Sequence, residues 1–84
     1  MSVLSILATT FGILMGLANF PQAYRIFKRK HAKDVSILTF SIIAVGGIVW
    51  LAYGIEINNI AIILGNGVGV IACTAVIIGW IKYH

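Results

Sequence analysis

The chain has 84 residues, 61% hydrophobic and 10% charged, with a formal net charge of +4, and its mean hydropathy is +1.06. A soluble domain carries about 45–50% apolar and about 25% charged residues, and so short a chain cannot hide the surplus in a core of its own. A water-soluble globular domain is excluded, and an all-α membrane protein is expected: one domain, residues 1–84, whose three spans cover approximately 3–27, 35–55 and 58–81.

The first span opens on an uncharged run from Val3 to Tyr24. About 20 apolar residues, rising about 1.5 Å each, cross a hydrocarbon core about 30 Å thick. A membrane strand would need only about 9–11 residues and would alternate apolar with polar, which this run does not do. It also lacks the basic n-region of a cleaved signal peptide and is too long for an h-region, so it is read as a span. Within it, Gly12 and Gly16 are four apart, a spacing that lets helices approach closely. Pro21 follows, in Asn19-Phe20-Pro21-Gln22. A proline removes one backbone hydrogen bond and kinks a helix; Gln22 beside it supplies a donor and an acceptor where the ladder is broken. The pair is the candidate hinge, with a static kink as the plainer alternative.

Arg25, Lys28, Arg29, Lys30 and Lys33 then crowd into one short stretch, with His31 among them; the remaining base, Lys82, is near the C-terminus. The loop Glu56-Ile57-Asn58-Asn59 has no base. Short loops rich in Lys and Arg stay in the cytoplasm, so three spans put the N-terminus outside and the basic loop 28–34 and the C-terminus inside. The basic loop is a topology signal with some capacity for anionic lipid; no room remains outside the membrane for a nucleic-acid surface.

In the second span Ile43, Gly46, Trp50 and Tyr53 follow helical spacing and are expected on one face. Tyr53 and Trp80 suit the aromatic belt of a bilayer. Trp50 sits about four residues, or about 6 Å, from the middle of its span, below that belt. In the third span Asn66 lies between Gly65 and Gly67, with Gly69 close by, and its offset of about 6 Å is toward the same side. Trp50 and Asn66 are therefore expected at one depth. An amide in hydrocarbon needs partners. An interhelical hydrogen bond would satisfy it, but the flanking glycines are read as clearing space for a ligand. An indole face for the C–H face of a pyranose and an amide for its hydroxyls make a candidate sugar site. Cys73, alone in the chain, is read as a packing residue.

The membrane-embedded part of the spans contains no Asp, Glu, Lys, Arg or His, whereas proton- and ion-coupled carriers usually place such groups there. This favours uncoupled movement of a neutral solute. No nucleophile–base pair, carboxylate pair or metal cluster can be drawn from these residues, so neither an enzyme nor a cofactor or metal is expected. Three helices of about 10 Å diameter leave no solute-sized gap. A second copy related by a two-fold axis along the membrane normal would supply one, as a parallel homodimer of six helices.

Asn19-Phe20-Pro21-Gln22, the basic loop, Trp50-Leu51-Ala52-Tyr53-Gly54 and Gly65-Asn66 together resemble the bacterial SemiSWEETs, the three-helix members of the SWEET (MtN3/saliva, PQ-loop) sugar transporters. The resemblance covers essentially the whole chain. It implies a bundle whose third helix packs between the first two, and a parallel homodimer that moves a small neutral sugar such as sucrose or glucose down its gradient by alternating access. The setting it suggests is a bacterial inner membrane. It also implies Trp50 and Asn66 as the sugar-binding pair, Pro21 and Gln22 as the PQ hinge and Tyr53 as an outer gate. Relatives often latch that gate with an Arg and an Asp; here Ile57 and Asn59 stand in those places, and Asn59 is left as the hydrogen-bonding candidate. Ile43 is the candidate inner gate. Two other readings stand beside this one: a PQ-loop carrier of another small solute, and a small structural or assembly protein in which Trp50 and Asn66 only pack. A carrier of cationic amino acids would call for an acidic group in the pocket, which the spans lack.

Overall fold

A computed structural model describes residues 2–84. Helix α1 spans Val3–Leu17, α2 Phe20–Arg29, α3 Ile37–Glu56 and α4 Ile60–Tyr83. α1 and α2 follow one another as a single interrupted span, so three helical segments, Val3–Arg29, Ile37–Glu56 and Ile60–Tyr83, are long and apolar enough to cross a membrane. The long axis of the chain is 43 Å, which matches a bilayer of about 40–45 Å with its headgroups included.

Local chemistry sets most of the helix starts. Ser2, Ser36 and Asn59 each stand in extended backbone just before a helix. Their side-chain oxygens accept hydrogen bonds from the N–H groups of Ser5 at 3.0 Å, Thr39 at 3.2 Å and Ile62 at 3.2 Å, satisfying donors the helix cannot use itself. α2 ends at Lys30, which takes the left-handed conformation (φ 59°) of a helix C-terminus.

The interruption falls at Ala18 and Asn19, two residues before the proline expected to kink the span. The reason lies in hydrogen-bond reach. Pro21 has no N–H to give the Leu17 carbonyl four residues back, so the ladder opens upstream of the ring. Asn19 N–H instead reaches the Gly16 carbonyl at 3.4 Å, a tighter three-residue closure.

α4 is the central element. It packs against α1, α2 and α3 in turn, with α1 and α3 as flanks. At the centre of its contact with α4, α1 approaches main chain to main chain. A Cβ added to Gly16 would sit 2.8 Å from the Gly69 nitrogen and 3.0 Å from the Gly65 oxygen, and one on Gly65 would sit 3.2 Å from the Gly12 Cα. Two small-xxx-small motifs, Gly12/Gly16 and Gly65/Gly69, thus face each other. Of the glycines expected to open space beside Asn66, Gly65 and Gly69 take part in this crossing and also border the open space between α1 and α3, while Gly67 faces Leu51 of α3. α3 runs antiparallel to α4: Gly47 meets Val70 and Gly54 meets Ile62.

The basic end is built differently. Ala23 and Ile26 of α2, Ala32 and Val35 of the following loop and Val76 of α4 are buried together, with Phe40, Ala75, Trp80 and Tyr83 packed around them. Trp80 is thus a packing group as well as a candidate belt residue, and its ring stacks on His84 at 4.1 Å. Arg29 pairs with Asp34 at 3.2 Å; that hydrogen bond, with the backbone's help, holds the Asp34 carboxyl below its ordinary range. His31 of the basic loop is half-buried, and its Nδ1 is enclosed without a hydrogen bond among the described residues. Cys73 is fully buried in α4, as a packing residue should be.

Candidate functional site

Because α1 and α3 both lean on α4, a groove of about 420 Å³ runs between them. α4 is its floor, through Ala61, Ile62, Gly65, Asn66, Gly69 and Val70. Ala8, Gly12, Met15, Gly16 and Asn19 form the α1 wall, and Ile43 and Gly47 the α3 wall. The fourth side is open. The lining residues include no ionisable side chain, and their polar side chains are Asn19 and Asn66.

Asn66 is half-buried on the floor. Its Nδ2 donates to the Ile62 carbonyl at 2.9 Å, one turn back in its own helix. A carboxamide offers two N–H donors and a carbonyl acceptor, so one donor and the oxygen remain for whatever enters. No interhelical hydrogen bond uses this amide among the described residues.

Trp50 stands at the edge of the groove rather than in its wall. It is 55% exposed. Its ring meets Tyr53 edge to face, centroids 5.7 Å apart at 83°, which fixes the indole plane. Around a 3.6-residue helix Trp50 falls between Ile43 of the groove wall, about 20° away, and Gly46 of the adjoining face, about 40° away, so it stands where the groove meets the open side of α3. Its depth follows from the α3–α4 register. Leu51 meets Gly67, between the Gly47–Val70 and Gly54–Ile62 contacts, which sets Trp50 opposite the neighbour of Asn66. The two lie at one level within about one residue's rise, about 1.5 Å.

The face expected to join Ile43, Gly46, Trp50 and Tyr53 is divided by the structure. Gly47 lines the groove, while Gly46 sits with Ser41, Ile42 and Val45 in a shallow apolar depression of α3, with nothing within 4 Å of where its Cβ would be. Two adjacent glycines carry no side chain to mark which one faces inward.

Of the remaining candidates, Ile43 is in the groove toward the basic end. Pro21 is exposed and Gln22 half-buried, and Gln22 makes no side-chain hydrogen bond among the described residues. Tyr53 is 47% exposed. Asn59 has its side-chain oxygen committed to capping α4, which leaves only its amide donors for a gate. Among the described residues no three His, Cys, Asp or Glu side chains gather in a way that could hold a metal ion.

Met15 and Asn19 are groove residues that sequence reasoning passed over. Gly12, Gly16 and Asn19 fall at i, i+4 and i+7, so the glycine motif that marks the face against α4 also pointed to Asn19.

Residues 2–84 match the family described as "Sugar efflux transporter for intercellular exchange". The chain is 29% identical over 79 residues to the sugar transporter SemiSWEET of Vibrio sp. (strain N418), covering 92% of this chain and 81% of that protein. Its fold superimposes with a TM-score of 0.91 on a solved structure described as a bacterial homologue of SWEET transporters, 32% identical, over 99% of this chain and 100% of the other.

Proposed function

The chain belongs to the MtN3/saliva family of sugar transporters, as a three-helix SemiSWEET, and from that premise we propose that it moves a small neutral sugar down its gradient, by alternating access, as a parallel homodimer. The observation that supports this reading is the one-sided groove. Asn66 presents unused hydrogen-bonding capacity on its floor, Trp50 presents an indole at the same level on its rim, and the side facing both is open. A copy related by a two-fold axis along the membrane normal would close that side with a second Trp50 and Asn66. The pocket would then have aromatic walls with few polar groups, the usual recipe for a small-molecule site.

Uncoupled movement is supported by a lining without ionisable side chains, since proton and ion relays usually rest on such groups. Pro21 and Gln22 adjoin the interruption between α1 and α2 and serve as its hinge. Tyr53 and Ile43 sit toward the two mouths, as outer and inner gates. With Arg25 to Lys33 and Lys82 at one end and Glu56 at the other, the basic end faces the cytoplasm and the N-terminus faces out, in a bacterial inner membrane. Ile57 and Asn59 offer no charged latch over the outer mouth, so the outer gate closes on uncharged contacts alone.

The test is uptake of labelled glucose and sucrose into proteoliposomes, with dimer content followed by cross-linking. Gradient-driven uptake that ignores proton ionophores, and that falls about tenfold or more in Trp50→Ala and Asn66→Ala dimers, is the expected result. Intact native dimers that carry neither sugar would defeat the reading.

A further inference from the structure

Four residues of N-cap type precede the four helices, and three of them cap. Ser2, Ser36 and Asn59 hold backbone N–H groups at 3.0–3.2 Å; Asn19, before α2, makes no side-chain cap bond. The one hydrogen bond of its side chain is from Nδ2 to the Gly16 carbonyl, at the 3.5 Å limit, and its side-chain oxygen accepts none among the described residues. The local fold therefore leaves this carboxamide largely uncommitted, while placing it in the groove wall.

Its depth follows from the glycine crossing. Gly12 lies against Gly65 and Gly16 against Gly69, so Asn19 stands level with Ala72. That is six residues along α4 from Asn66, or about 9 Å toward the basic end. Between the two amides the groove is lined by Met15, Gly47 and Val70, with Ile43 just beyond. A sugar leaving the level of Asn66 in that direction would shed its hydrogen bonds against apolar walls, which is costly for a hydroxyl-rich solute, until it reached Asn19.

We propose that the Asn19 carboxamide is a second sugar-binding station, about 9 Å on the basic-end side of Trp50 and Asn66, taking over the solute's hydroxyls as they leave the first. This rests on the sugar-carrying reading above. Asn19 also lies within the interruption between α1 and α2, so a change of angle there moves the second station relative to the first. The residue contacts the solute in passage and sets how fast it passes.

The experiment compares native dimers with Asn19→Leu, which removes the amide at similar volume and costs no cap bond, and with Asn19→Gln, which keeps the carboxamide. Turnover is read in proteoliposomes for whichever of glucose and sucrose the native protein carries faster. Equilibrium binding of that sugar is read by calorimetry on detergent-solubilised dimers. We expect Asn19→Leu to lower turnover about tenfold or more while binding changes less than about threefold, and Asn19→Gln to recover at least about a third of native turnover. Native turnover in Asn19→Leu would overturn the proposal. So would equal failure of both variants with lowered melting temperatures, the mark of a purely structural residue. Native dimers carrying neither sugar would remove the sugar-carrying reading and this one together, a result visible before any variant is made.

Discussion

The two ends of this chain's helical bundle are held by different means. At the basic end, side chains from α2, the following loop and α4 close over Ile26 and Val76, both fully buried. Across the middle, α1 meets α4 with glycine against glycine, and the space beside them is groove. Packing by side chains tolerates trimming, because neighbours relax into part of the gap. Contact between two backbones tolerates no addition, because neither can step aside. One region should therefore fail by loss and the other by gain.

The largest effect should come from Gly16→Leu. Its Cβ would fall 2.8 Å from a backbone nitrogen and 3.0 Å from a backbone oxygen, so α1 must leave α4, at a cost of about 3 kcal/mol or more. Unfolding in detergent would read it, and near-native stability would show that the crossing is soft. Next is Ile26→Ala, which empties the centre of the basic-end core and should cost about 2–3 kcal/mol. A loss below about 0.5 kcal/mol would erase the contrast between the regions.

Gly46→Ala sharpens the comparison from the other direction. Nothing lies within 4 Å of its Cβ position, so this helical glycine should gain about 0.5–1 kcal/mol on replacement. A destabilised protomer would mean that the open side of α3 is more crowded than its own chain makes it. The smallest effect concerns Asp34, exposed and paired with Arg29. Its carboxyl is held below the ordinary 3.8, so the stabilisation is complete above that pH and is lost as pH falls through the lower folded-state value. Melting temperatures of native protein and Asp34→Asn should differ slightly at pH 7, converge on strong acidification, and converge at neutral pH in high salt as well.

How much of this could be read from residues alone follows the same division. Charge-free runs and loop charges gave the three helices, and a resemblance carried by Pro21-Gln22, Trp50 to Gly54 and Asn66 gave the central place of the third. The shared depth of Trp50 and Asn66 came from counting rises along two spans. What escaped depends on pairing between elements. Gly65 and Gly69 read as space for a ligand, and only their pairing with Gly12 and Gly16 shows that they also carry the helix crossing. Gly46 and Gly47 differ only in what faces them. The helix breaks upstream of Pro21 because the group the proline deprives is a carbonyl four residues back. Asn19 carries no mark in the Asn19-Phe20-Pro21-Gln22 motif, since its freedom shows only beside the three caps that work.

The glycine crossing has a further consequence, for how this chain can change. The groove is bounded on its α1–α4 side by the main chain of facing glycines. No substitution at Gly12, Gly16, Gly65 or Gly69 can deepen it; each adds atoms, and each can only fill the groove or force the helices apart. Room for a bulkier cargo has to come from the apolar side chains of the lining, where Met15, Ile43, Ile62 and Val70 can still be made smaller. Selection for a new solute would therefore act on a handful of apolar positions while the glycines stay fixed, and a laboratory library aimed at wider cargo is best confined to those four codons.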